Sequence, residues 1–245
     1  MGSQDTPILA AVGIHKRFGA LVVLDGVDFS IGVGDAIGIV GPNGAGKTTL
    51  LNILSGALLP SEGSVAFNGS DVTQSGVSRR CRLGIGRAHQ VPRPFGDMSV
   101  FENVLVGAAT GGGLRGRRAY GRCIEVLEIC GLTGTANRRA ESLGLLDRKR
   151  LELARALATD PLVLLLDEIG AGLTEVEAEE LVATIRELHR QGVAIVWIEH
   201  IVHVLVRVVE RLVCLDAGRV IADGQPDAVM RDSAVVDAYL GRVVV

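Results

Sequence analysis

The chain has 245 residues, 48% of them apolar, enough for one large domain with a substantial core. A formal net charge of −3 and only 3% aromatics argue against a nucleic-acid binder, which would carry a basic face and base-stacking rings. Cys81, Cys123, Cys130 and Cys214 lack C-x-x-C or zinc spacing and read as small buried hydrophobes of a reducing compartment.

Taken in chain order, the N-terminal MGSQDTPILA lacks the basic start and long apolar stretch of a signal peptide, and Gly2 with Thr6 fits only a loose myristoylation pattern. No run approaches the roughly 18–20 apolar residues that span a bilayer, so the expectation is a cytosolic protein that meets membranes through a partner. Residues 8–31 and 64–67 read as antiparallel strands, and Asn68-Gly69 is a hairpin signal. Ala36–Val40 is a buried strand ending at a glycine loop. Thr48–Ser55 follows as a helix stopped by Gly56.

The middle, residues 91–150, lacks strand patterns and reads as a helical insert, with a helix over 118–130 and its most flexible piece at Thr110–Arg118. Arg150–Thr159 reads as a helix ending at Asp160-Pro161. Residues 175–191 give the clearest helix. Thr174 and Glu177 form a T-x-x-E capping box, one apolar face follows, and Gly192 caps the end. Leu162–Leu166, Ala194–Ile198 and Leu212–Leu215 have the apolar character of a buried sheet, with Arg219–Asp223 pairing to the last. Strands alternating with helices predict an α/β fold with a largely parallel central sheet.

Two segments carry chemistry. Gly41-Pro42-Asn43-Gly44-Ala45-Gly46-Lys47-Thr48-Thr49 matches G-x-x-x-x-G-K-[ST] between a buried strand and a helix. There backbone N–H groups and a helix N-terminus converge on phosphate oxygens. Lys47 would neutralise β- and γ-phosphates, and Thr48 would offer its hydroxyl to Mg²⁺. Leu162–Leu166 then ends in Asp167-Glu168, at a strand tip where ligands of parallel sheets bind. Asp167 would hold Mg²⁺ through water, and Glu168 would orient and polarise the attacking water. His200, past the next strand, could reach the γ-phosphate or that water as a neutral imidazole. Glu199-His200 with His203 does not match the H-E-x-x-H of zinc proteases.

The order of phosphate loop, lone Gln90, helical insert, Asp167-Glu168 and His200 resembles that of ABC transporter ATPases along nearly the whole chain. That resemblance implies a P-loop, RecA-like core with an antiparallel β subdomain and the helical insert, one ABC ATPase domain over 1–245. It implies that Phe18 in HKRFG stacks on adenine and that Gln90 links Mg²⁺ and water to membrane subunits. GIGRAHQVPRPFGDMSVFENVLVGA (84–108), RLELARALATDP (150–161), AGLTEVE (171–177), WIEH (197–200) and DAYLG (237–241) resemble, more finely, the ATPases of branched-chain amino-acid importers. Val91–Phe101 would then face the membrane subunit.

The resemblance implies ATP and Mg²⁺ as cofactors. The implied partners are a second ATPase subunit, like or unlike, integral membrane subunits, an indirect solute-binding protein and no nucleic acid. It places the chain on the cytoplasmic face of the membrane. Within the same fold, an ATPase for lipid or another solute, or a soluble ABC protein acting on DNA or the ribosome, is the alternative; a P-loop small-molecule kinase would have no reason to carry Gln90 and His200.

The family signature, usually L-S-x-G-Q, departs here. Without gaps it aligns with Leu143-Gly144-Leu145-Leu146-Asp147, so a hydroxyl donor and the second glycine are missing. Ser142-Leu143-Gly144 supplies S-x-G only with two inserted residues, and Thr174 stands where an Asp is usual.

Overall fold

The computed structural model describes residues 6–199 and 201–240. β1 (Leu9–Phe18) and β2 (Leu21–Ile31) are followed by β3 (Ala36–Val40), the glycine loop and α1 (Lys47–Ser55). β4 (Glu62–Phe67) and β5 (Ser70–Asp71) form a hairpin, followed by α2 (Val77–Leu83) and β6 (Ile85–Ala88). α3 (Val100–Val106), α4 (Gly116–Ile129) and α5 (Leu145–Leu157) precede β7 (Val163–Asp167). Then come α6 (Glu175–Arg190), β8 (Ala194–Ile198), the short α7 (Val202–Leu205), β9 (Arg211–Asp216) and β10 (Arg219–Gly224). α8 (Pro226–Arg231) and α9 (Ser233–Leu240) end the described chain.

The strands build two sheets. One is antiparallel, in the order β2-β1-β4-β5; the other runs β10-β9-β3-β8-β7-β6. In the second, β9, β3, β8, β7 and β6 are parallel and only the edge strand β10 is antiparallel. The α/β expectation and both strand groupings therefore hold.

Side-chain alternation explains the layers. On β3, Ile37 and Ile39 point into a core shared with α1 and the antiparallel sheet. Ala36 and Val40 point to the opposite face, into a core shared with α3, α4, α5 and α6. A strand buried on both faces must be apolar throughout, as Ala36–Val40 is. α1 thus lies between the two sheets, with Leu50, Leu51, Ile53 and Leu54 all fully buried. Each contributes about 1.5–3 kcal/mol relative to exposure.

The far end of α1 is held by an unexpected residue. Arg80, on α2, is 0% exposed. Its guanidinium donates to the carbonyls of Ile53 and Leu54 at 2.6 and 2.8 Å, and to those of Ser75, Val72 and Thr73 at 2.9, 2.7 and 3.1 Å. A cation at the C-terminal end of α1 also meets the negative end of its dipole. The sequence gives α2 no apolar stripe because the residue that anchors it is an arginine.

Helix boundaries differ locally from expectation. α5 begins at Leu145, five residues before the expected start; Leu145 and Leu146 open it, and the charged run 147–150 separates them from the apolar face of RLELARAL. α6 matches its capping box: Glu177 N–H donates to the Thr174 hydroxyl at 3.4 Å and Thr174 N–H to Glu177 Oε2 at 2.8 Å. Its cap falls on Gln191, with Gly192 one residue beyond. α3 has the same box at Ser99 and Glu102, a signal equally present in the sequence.

Within Thr110–Arg118, the expected flexible piece, residues 112–115 link two helical stretches. Gly107–Gly111 forms a π-helical turn and α4 starts at Gly116. Gly107 and Gly111 serve close packing, whereas Gly113 and Gly116 adopt positive φ with open space around them. A Cβ on Gly107 would lie 2.6 Å from the Arg155 carbonyl oxygen, and one on Gly111 would lie 2.5 Å from Thr159 Cγ2. Among the described residues the cysteines are free, with Cys123, Cys130 and Cys214 buried and Cys81 partly so.

Candidate active site

The loop from Gly41 to Gly46 joins the central strand β3 to the N-terminus of α1. Gly41 has φ 143, and a Cβ there would lie 2.0 Å from the Leu215 carbonyl oxygen, so only glycine fits between loop and β9. Gly44 and Gly46 also adopt positive φ, 82 and 101. These turns bring the loop back on itself over the helix start, where unpaired N–H groups and the dipole favour an anion.

Lys47 opens α1 and is 5% exposed. Its ammonium donates to the carbonyls of Gly41 and Pro42 at 2.7 and 2.9 Å, across the mouth of the loop. Burial pushes its pKa down, and the charges of Glu168, Cys214 and Asp167 push it back up. Asn43–Thr49, Val23 and Glu168 line one cavity, so the phosphate loop and the second acid of the strand tip share one space. Thr48 is exposed beside it.

Asp167 is the last residue of β7 and Glu168 follows it with φ 46, an uncommon conformation for a residue with a side chain. The turn is fixed by the Glu168 N–H, which donates to the Ile198 carbonyl at 2.9 Å. Strained backbone of this kind gathers at functional positions. Gln90, just beyond β6, donates from Nε2 to Glu168 Oε2 at 2.5 Å. Gln90 and Glu168, 78 residues apart, are thus brought together.

Asp167 is engaged differently. Arg87 on β6 holds its carboxylate at 2.8 Å in a buried ion pair, and also donates to Asn52 Oδ1 at 2.6 Å and the Ser55 hydroxyl at 3.1 Å. Arg87 therefore ties β6, β7 and α1 together, and the sequence reading missed it. A lone basic residue near the end of a buried strand was the available signal. Burial, then the Arg87 charge, lowers the pKa of neighbouring His89.

A second buried set sits behind the acids. Lys149 on α5 donates to the Gln90 carbonyl at 3.2 Å. Burial lowers its pKa, and the Glu199 and Glu168 charges oppose that shift. Glu199 accepts from the Gly170 N–H at 2.7 Å and the Trp197 indole at 3.3 Å, yet burial still holds its carboxyl above the usual range. Lys149 comes from the run Arg148-Lys149-Arg150, in which only the helix phase shows which cation turns inward.

Phe18 ends β1, 51% exposed, with the Lys16 ammonium 5.0 Å from its ring centre. It lies outside the loop cavity, though its hairpin partner strand β2 contributes Val23 to that cavity. His200 falls outside the described residues, so its expected role carries no geometry. Gly144 is the N-cap of α5 with no side-chain cap, Leu145 is exposed, and Asp147 pairs with Arg150 at 3.6 Å.

Thr48 lines the loop cavity, while Asp167 and Gln90 line a second one with His89. The Thr48 hydroxyl, the Asp167 carboxylate and the Gln90 amide offer hard oxygens, and Mg²⁺ takes few protein ligands when phosphate supplies the rest. Among the described residues no cluster of three or more His, Cys, Asp or Glu forms an all-protein metal site.

With this geometry in place, comparison with known proteins is informative. The ABC transporter family model matches residues 24–171, and the branched-chain amino acid ATP-binding cassette transporter model matches 219–245. The high-affinity branched-chain amino acid transport ATP-binding protein LivG of Escherichia coli K12 is 34% identical over 96% of this chain and 98% of its own. The ADP conformation of an ATP-binding cassette of an ABC transporter superposes with a TM-score of 0.89 at 31% identity, covering 96% of this chain and 99% of that one. A dimeric post-hydrolysis cassette bound to ADP and Pi gives a TM-score of 0.79 at 26% identity, covering 89% and 98%. The chain belongs to the ATP-binding cassette family of ABC transporters and is an ATPase.

Proposed function

We propose that this chain binds Mg·ATP in the cavity beside residues 41–49, hydrolyses it from the tip of β7, and powers uptake of branched-chain amino acids through separate membrane subunits. Backbone amides of the loop and Lys47 would hold the phosphates. Thr48, Asp167 and Gln90 would hold Mg²⁺, which supplies charge neutralisation at the phosphates. Glu168 would orient and polarise the attacking water, with His200 assisting, and Phe18 would stack on adenine.

The observation that carries the cargo is the likeness to branched-chain amino acid transport ATP-binding proteins along 96% of the chain, joined by the matching model at 219–245. Among the described residues no helix is long and apolar enough to cross a membrane. The likeness to transport ATP-binding proteins supports a peripheral position on the cytoplasmic face, against membrane subunits. Val91, Phe95 and Met98, exposed apolar residues beyond Gln90, would meet those subunits. Removing the chain from its host is expected to abolish high-affinity leucine uptake, measured with labelled leucine; unchanged uptake would rule out this cargo.

The signature region adds a reading about pairing. In this family each nucleotide lies between one subunit's phosphate loop and the other's signature. Gly144 caps α5 without a hydroxyl, and Leu146 stands where backbone would approach phosphate. We therefore assign this chain to a pair with an unlike ATPase subunit, in which the two sites are unequal. Gly144→Ser with Leu146→Gly is expected to raise turnover of the purified homodimer about tenfold, the worth of one regained hydrogen bond to a charged group. Equal phosphate release from the unaltered and altered homodimers would remove this reading.

A further inference from the structure

The C-terminal DAYLG stretch is remote in sequence from the phosphate loop. Its tyrosine nevertheless reaches that loop. The Gly41 N–H donates to the Tyr239 hydroxyl at 2.8 Å, across 198 residues of chain. Tyr239 lies on α9, which is anchored by Val235, 1% exposed, and follows α8 with its buried Val229.

We propose that Tyr239 is a positioning residue for nucleotide binding, holding the first peptide of the phosphate loop in its binding orientation. Gly41 is constrained on three sides. Its N–H is held by Tyr239, its Cα face presses on Leu215 of β9, and its carbonyl accepts from Lys47 at 2.7 Å. With φ 143 and no side chain, the peptide has no intrinsic preference that would keep it there. The phenol supplies that preference at the N–H, as the ammonium does at the carbonyl. The turn between β9 and β10 supports the loop as well, through the Gly218 N–H on the Ala45 carbonyl at 3.2 Å. Both braces come from the last 30 or so residues, so the C-terminal segment sets the shape of a loop formed near residue 41. Removing the hydroxyl leaves the Gly41 N–H without this acceptor and frees the peptide to rotate. Nucleotide binding must then restore the orientation, and affinity falls while chemistry at bound nucleotide does not.

The proposal rests on the phosphate-loop reading, and the experiment separates the two. Full-length wild type, Tyr239→Phe and Lys47→Ala are compared for binding of a fluorescent ATP analogue with Mg²⁺, steady-state hydrolysis, thermal midpoint and hydrogen exchange at Gly41. Tyr239→Phe is expected to raise Kd and KM about three- to tenfold, as one backbone hydrogen bond would. kcat stays at the wild-type value, the nucleotide-free midpoint falls by no more than the loss of one hydrogen bond implies, and exchange at Gly41 speeds up. An unchanged Kd, or a lower midpoint and kcat at unchanged Kd, overturns the positioning role. If Lys47→Ala binds nucleotide normally, the phosphate-loop reading fails; if only Tyr239→Phe behaves as wild type, Tyr239 alone is excluded.

Discussion

Glu168→Gln is expected to retain ATP binding and to lower turnover at saturating ATP about a hundredfold or more, the range of a lost general base. The substitution keeps the size and planarity of the side chain, so the backbone turn at φ 46 and the N–H bond to the Ile198 carbonyl have no steric reason to change. What it removes is the carboxylate, the group that can accept a proton from water. An amide cannot, whatever its position. The Gln90 contact at 2.5 Å would persist in altered form, because an amide oxygen also accepts from Gln90 Nε2. Phosphate release and fluorescent-nucleotide titration on one preparation check both halves. Wild-type turnover in the variant would take Glu168 out of the reaction.

Lys47→Ala should weaken Mg·ATP binding about a hundredfold, corresponding to about 3 kcal/mol of charge-assisted hydrogen bonding. The ammonium is buried and already bonded to the Gly41 and Pro42 carbonyls, so it is ordered across the loop mouth before nucleotide arrives. Little conformational entropy is then lost when phosphate replaces those carbonyls as its partner. The fold should tolerate the change. Burial disfavours this charge, as its lowered pKa shows, so removing it relieves a desolvation cost while giving up two hydrogen bonds. Isothermal titration with Mg·ATP, beside a thermal melt, measures both. Undiminished affinity would mean that nucleotide binds elsewhere.

These two residues were legible in the sequence because their signals are local. A glycine loop between a buried strand and a helix declares its conformation through φ alone. Two acids ending an apolar run declare a strand tip. The capping box at Thr174 and Glu177 placed the start of α6 for the same reason, and the matching box at Ser99 and Glu102 offered the start of α3 by the same rule.

The sequence by itself therefore determined the α/β layering, the phosphate loop, the acid pair and the family resemblance, since backbone freedom, capping and hydrophobic period act within a few residues. Only the tertiary structure decided which polar side chains turn inward. Arg80 takes a core position that hydropathy assigns to solvent, Arg87 claims Asp167, Lys149 turns away from its basic neighbours toward Gln90, and Tyr239 reaches Gly41. Each of these polar contacts joins residues at least 59 positions apart, apart from those of Arg80, whose partners lie 5 to 27 away. The reason is physical: burying a polar or charged group is favourable only when a partner compensates its lost water, and the partner is known only once the chain has folded.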